Sequence, residues 1–165
     1  MRVEKVRILD TSAFISHPGP LEGLTVREVL EEAKSLTAKW RSSLDSVKVL
    51  EPSATSLGEV ERSIRKTGDR LSKTDVKLLA LALDVKREGK NPEILTDDYS
   101  IQNLARVLGV GFSGVGEEGI KKVFRWISVC PSCGRSFPPS EQECRFCGHK
   151  LKRKPAKYIH GGGIE

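Results

Sequence analysis

Val3-Glu4-Lys5-Val6-Arg7-Ile8-Leu9-Asp10-Thr11-Ser12-Ala13-Phe14-Ile15 is the stretch that decides the fold. It alternates polar with apolar and then turns apolar, as a strand does when its far end is buried. The strand ends at Asp10, and Thr11-Ser12 opens a short helix. A strand running straight into a helix is the unit of an α/β sheet. Ligands in such sheets gather just beyond the carboxyl ends of the strands.

Working outward, Pro18-Gly19-Pro20 reads as a turn. Thr25 to about Lys39 is predicted helical, with Val26, Val29, Leu30, Ala33 and Leu36 on one face. Val47 to Leu50 is a short strand and Ser56 to Lys66 a second helix. Ser72 opens a third, whose body of Leu78, Leu79, Leu81, Ala82 and Val85 is largely apolar. Glu93 to Thr96 is a strand, Tyr99 to Leu108 a helix, and Gly109 to Phe112 a last strand. This alternation predicts an α/β domain over residues 1–112, a parallel sheet flanked by helices. A glycine-rich linker, residues 113–120, follows and predicts that the next module can swing.

That module has a different chemistry. Cys130-Pro131-Ser132-Cys133 and Cys144-Arg145-Phe146-Cys147 contain all four cysteines of the 165-residue chain. Two CxxC pairs ten residues apart suit one tetrahedral zinc ion with four thiolate ligands, a structural site. Gly134 and Gly148 suit the tight knuckle turn after each pair. We place this zinc ribbon at 121–154 and a flexible tail at 155–165. The start of the chain has no leader pattern and no run approaches the roughly 20 apolar residues that span a membrane. The expected compartment is a reducing cytoplasm, which favours metal over disulfides.

Charge divides the chain at the same place. Residues 1–120 carry 18 Lys/Arg against 19 Asp/Glu, a net of −1, and residues 121–165 carry 10 against 3, a net of +7. A basic module beside a neutral domain suits a polyanion grip. Lys121, Lys122, Arg125, Arg135, Arg145, Lys150, Lys152, Arg153 and Lys154 would contact phosphates without reading sequence. Trp126, Phe137 and Phe146 suit either stacking on unpaired bases or packing within the ribbon. His17, His149 and His160 show no catalytic or ligand spacing.

Acidic residues mark the first domain. Asp10, Asp97 and Asp98 fall at strand ends, Asp75 in the first turn of the Leu-rich helix. On the helix from Thr25, Glu32 borders the apolar stripe, so we prefer it and hold Glu28 in reserve. Carboxylates without nearby His or Cys suit Mg²⁺ or Mn²⁺. Asp10, Asp75, Asp97 and Asp98 also fall at predicted helix N-termini, where a carboxylate caps amides.

These residues resemble a known family. The strand ending at Asp10 with Thr11-Ser12-Ala13-Phe14 looks like the opening of PIN-domain nucleases. Thr25 to Glu32, Leu71 to Asp75 before Leu78-Leu79-Ala80-Leu81-Ala82, and Leu95-Thr96-Asp97-Asp98-Tyr99 resemble their further acidic motifs. A PIN domain joined to a four-cysteine ribbon is similar to the NIN-one-binding endonucleases, in their short archaeal form. Asp98-Tyr99-Ser100-Ile101-Gln102-Asn103 is especially similar. The resemblance implies an endoribonuclease that makes the mature 3′ end of small-subunit (16S) rRNA on the precursor subunit. It implies Mg²⁺ or Mn²⁺ on Asp10, Glu32, Asp75 and Asp98 or Asp97, and products with 3′-hydroxyl and 5′-phosphate. It also implies a KH-domain assembly factor as partner. The other readings are a non-catalytic RNA-binding assembly factor and a toxin-type PIN ribonuclease.

Overall fold

A computed structural model describes residues 2–17, 20–36, 46–116 and 123–159. The first domain runs β1 (Lys5–Leu9), α1 (Thr11–Ser16), β2 (Glu22–Thr25), α2 (Arg27–Leu36), β3 (Ser46–Val49), α3 (Ala54–Thr67), α4 (Lys73–Arg87), β4 (Asn91–Leu95), α5 (Tyr99–Val107) and β5 (Gly111–Ser113). Its five strands lie in the order β3-β2-β1-β4-β5, and every pairing is parallel. The predicted α/β class and flanked parallel sheet are as observed.

The sheet centres on β1, whose Ile8 and Leu9 pair with Ile94 and Leu95 of β4. All four are buried. Helix α4 explains its continuous apolar body: every residue from Leu78 to Leu83 is buried, because it packs on α3, α5, β1 and β4 at once. A helix enclosed on most sides needs no polar face.

The helix expected from Thr25 to about Lys39 is present but starts two residues later, because Thr25 closes a strand. Residues Glu22–Thr25 form β2, and α2 begins only at Arg27. Thr25 is buried and its hydroxyl donates to the Leu9 carbonyl at 2.7 Å, tying β2 to the end of β1. Residues 37–39, expected to continue that helix, and Pro18-Gly19 of the expected turn lie outside the described residues.

The second module holds β6 (Val123–Val129), β7 (Ser136–Phe137) and β8 (Lys152–Ile159), in the antiparallel order β7-β6-β8. Strand β8 occupies the start of the segment expected to be a flexible tail. The pairing slips between Arg125 and Trp126, so Pro155 stands opposite Trp126. Lysines and a proline suit an edge strand such as β8.

Candidate active site and metal-binding module

The carboxyl ends of β1 and β4 lie side by side, and the acidic residues collect there. Asp10 follows β1 and is 7% exposed. One of its oxygens accepts from the Thr11 amide at 2.7 Å, capping α1. The other accepts from the Thr96 hydroxyl at 2.6 Å. Thr96 Oγ1 in turn accepts from the Asp98 amide at 3.0 Å. Asp98 caps α5, accepting from the Ser100 amide at 2.7 Å and the Ile101 amide at 3.4 Å. Asp75 sits in a capping box with Ser72, taking the Ser72 amide at 3.0 Å. Glu32 reaches the same end of the sheet through Thr11, whose hydroxyl donates to it at 2.9 Å.

Burial holds the Asp10 carboxyl up at about 6, against 3.8 ordinarily, with the charges of Asp75 and Asp98 adding to the rise. Burial likewise raises Asp75, helped by Asp98 and Glu32. Asp75 and Asp98 thus crowd Asp10, and Asp98 and Glu32 crowd Asp75, where the ends of β1 and β4 meet, while three of the four also cap helices. Capping and ligation are compatible, because a carboxylate has about four lone-pair sites.

The two residues kept as alternatives are engaged elsewhere. Asp97 takes the Val115 amide at 2.7 Å and the Gly116 amide at 3.2 Å, so it holds the loop after β5. Glu28 pairs with Lys77 at 2.5 Å, and Lys77 also meets Glu51 at 2.6 Å. The Lys77 bond keeps Glu28 below its ordinary pKa.

Among the described residues the four cysteines form the tightest set of metal-ligating atoms, all within 4.8 Å of one another. The carboxylates are spread more widely. That arrangement fits a hard divalent cation that keeps several waters and is held by only a few carboxylates. Mutual repulsion around a buried Asp10 is what such a cation would relieve.

The cysteine cluster is built by two matching turns. The Gly134 amide donates to the Cys130 carbonyl and the Gly148 amide to the Cys144 carbonyl. Both glycines have φ near +70°, at 74° and 70°. The Arg135 and His149 amides face the sulfurs of Cys133 and Cys147. Sulfur separations of 3.4 Å (Cys130–Cys147) and 3.6 Å (Cys133–Cys144) lie close to the roughly 3.8 Å expected around one tetrahedral zinc. His149 Nδ1 lies 3.3 Å from Cys147 Sγ, a contact with a candidate ligand atom.

The expected RNA-facing aromatics divide. Phe137 is buried with Cys130 and Cys144, so it is ribbon core. Trp126 turns toward the first domain, its Nε1 donating to Asp69 Oδ1 at 3.0 Å. Phe146 alone of the three stays open, 66% exposed, with the Arg135 guanidinium 4.2 Å over its ring. Arg153 is not a free cation either. It stacks 4.1 Å over Trp126 and donates to the Gly68 carbonyl. Arg145 pairs with Glu141. Arg125, Lys150, Lys152 and Lys154 are exposed, and Lys121, Lys122 and His160 lie outside the described residues. These contacts set the ribbon against Gly68 and Asp69 of the first domain.

Comparison with known proteins accords with this layout. The family described as "PIN domain of ribonuclease" matches residues 8–85, from β1 into α4. The Endoribonuclease Nob1 of Methanocaldococcus jannaschii is 37% identical over 163 residues, covering 94% of this chain and 80% of that protein. That of Archaeoglobus fulgidus is 38% identical over 151 residues, covering 90% of each. The chain belongs to the Nob1 endoribonuclease family. It is also similar to the Ribonuclease VapC1 of Thermoplasma acidophilum, 38% identical over 157 residues, covering 90% of this chain and 77% of that protein. As a Nob1-family chain it is an endoribonuclease, with a PIN domain and a four-cysteine ribbon. No helix among the described residues is long and apolar enough to cross a membrane.

Sequence reading missed Thr96 and Asp69. The first was visible as part of Leu95-Thr96-Asp97-Asp98. The second had no local signal, because its partners are 34 and 57 residues away.

Proposed function

We propose that the protein cuts precursor small-subunit rRNA to form its mature 3′ end, using Mg²⁺ or Mn²⁺ held by Asp10, Glu32, Asp75 and Asp98. The observation that carries this reading is the buried Asp10, whose carboxyl is held up at about 6 beside Asp75 and Asp98. A buried carboxyl whose proton affinity is raised further by the charges of Asp75 and Asp98 suits a divalent cation. When bound, that cation would lower the pKa of water and balance charge gathering on the scissile phosphate. The side chains do the rest. Thr96 and the Thr11 amide fix the Asp10 oxygens, and Thr11 fixes Glu32. Products with 3′-hydroxyl and 5′-phosphate require water to attack phosphorus while the bond to O3′ breaks.

Zn²⁺ on Cys130, Cys133, Cys144 and Cys147 would be structural, since four thiolates leave no open position. The ribbon would hold RNA through Lys150, Lys152 and Lys154, with Phe146 under an unpaired base. The likeness to a Ribonuclease VapC1 favours a second reading, a ribonuclease of other cellular RNA. One assay separates them. Precursor RNA spanning a small-subunit 3′ end is incubated with Mn²⁺ and either the protein or Asp10→Asn, beside unrelated RNA. A single cut at the mature end, lost in the variant, supports rRNA maturation. Equal cutting of both RNAs supports the second reading, and cutting that survives in Asp10→Asn would refute the site.

A further inference from the structure

Asp69 is 6% exposed in the loop between α3 and α4. Its two carboxylate oxygens serve different modules. Oδ2 accepts from Asn103 Nδ2 of α5 at 2.9 Å, and Oδ1 accepts from Trp126 Nε1 of β6 at 3.0 Å. The residue before it completes a joint. The Gly68 carbonyl takes the Arg153 guanidinium of β8, which lies over the Trp126 ring. Gly68 has φ +72°, and a Cβ there would stand 2.5 Å from Pro139 Cγ. Trp126, Pro139 and Arg153 of the ribbon thus close upon Gly68 and Asp69 of the first domain.

We propose that Asp69 is a positioning residue: it holds the ribbon at a fixed span from the acidic cleft and so selects which phosphate of a long RNA is cut. This rests on the reading of that cleft as the cutting site. The joint and the cleft share their supports. Asp69 stands three residues before the Ser72–Asp75 capping box, and Asn103 belongs to the helix capped by Asp98. The ribbon is thereby braced on the two helices whose N-termini carry Asp75 and Asp98. Phosphate contacts orient RNA without reading bases. A rigid span between grip and cleft turns such contacts into a choice of position. A buried carboxylate that loses one of two donors is left under-satisfied, so the joint is held by a bond costly to break.

The test uses the full chain loaded with zinc, as Asp69→Ala and as Trp126→Phe, which keeps an aromatic side chain but removes the indole N–H together with the five-membered ring that carries it. Backbone ¹⁵N relaxation reports whether the two modules tumble together. Cleavage is followed on single-stranded RNA too short to span both modules and on long RNA containing a small-subunit 3′ end. We expect common tumbling in the parent and separate tumbling in both variants. The short RNA should be cut within twofold of the parent rate. On the long RNA, KM should rise about tenfold at unchanged kcat, and the cut should spread over neighbouring phosphates. Modules that still tumble together, a cut that stays at one phosphate, or a parallel fall on the short RNA would each overturn the proposal. If Asp69→Ala does not fold, Trp126→Phe decides alone. Asp10→Asn run beside them judges the cleft: cutting that persists in it sinks the site reading, whereas the tumbling result bears only on the joint.

Discussion

The hydroxyl of Thr96 donates to Asp10 Oδ2 across 2.6 Å, joining two residues 86 positions apart in the chain. The same oxygen of Thr96 receives the Asp98 amide. One small side chain thus sets the separation of two carboxylates. Thr96→Val removes the donor and the acceptor but keeps the shape. We expect it to lower kcat by on the order of tenfold with folding retained, as supports of metal ligands do. A rate equal to the parent's would show that Thr96 only fills space.

Folding raises the Asp10 pKa from 3.8 to about 6. The carboxyl therefore favours the fold while protonated, below about pH 4, and that contribution is lost as pH rises through 6. Asp10→Asn keeps an acceptor and never ionises. Melted without added divalent cations, it should be more stable than the parent at pH 7.5 by up to about 3 kcal/mol. The gap should close at pH 4. A gap of the same size at both pH values would exclude ionisation as its cause.

Cleavage should fall as pH drops below about 6, because a protonated Asp10 cannot hold a cation. Raising Mn²⁺ should move the midpoint of that fall to lower pH, since cation and proton compete for one carboxylate. A midpoint that ignores Mn²⁺ would place the titrating group elsewhere.

Glu32→Gln and Asp98→Asn should each cut kcat by on the order of 100-fold. Glu28→Gln should leave the rate near the parent's, because Glu28 is held by Lys77. Its loss costs stability by at most about 1 kcal/mol, as partly exposed ion pairs do. Asp97→Asn should loosen the loop at Val115 and Gly116 rather than stop cutting. The reverse ranking in single-turnover assays would reassign the ligands.

Lys152→Gln with Lys154→Gln should weaken RNA binding and lower its salt slope by roughly 1.4, about 0.7 for each phosphate contact on single-stranded RNA. Arg153→Gln should act otherwise, freeing the ribbon from Gly68 and Trp126. An unchanged slope in the double variant would remove β8 from the RNA face.

Much of this was legible because periodicity and local chemistry coincide. The buried ends of β1 and β4, the apolar body of α4 and the Ser72–Asp75 box each declare themselves within a few residues. The two CxxC pairs do so as well. Strand β2 hid because four residues including Gly23 carry no alternation, and its register comes only from β1 and β3. Strand β8 hid because Lys152 to Lys154 reads as solvated chain, while its partner β6 begins some thirty residues earlier. Trp126 and Arg153 were legible as RNA-facing residue types, but their fate was set by Gly68 and Asp69, which only the tertiary fold brings near.

The sheet order has a consequence for the protein's own synthesis. Strand β1 needs β4 beside it before Asp10 can meet Thr96 and Asp98. A growing chain exposes Asp10 early, yet the cleft cannot assemble until residues past Asp98 have left the exit tunnel. Long-range parallel pairing of this kind is also slow to form. Strands β1 and β4 therefore meet only when translation of the domain is nearly done, and the acidic cluster is among the last parts of it to assemble.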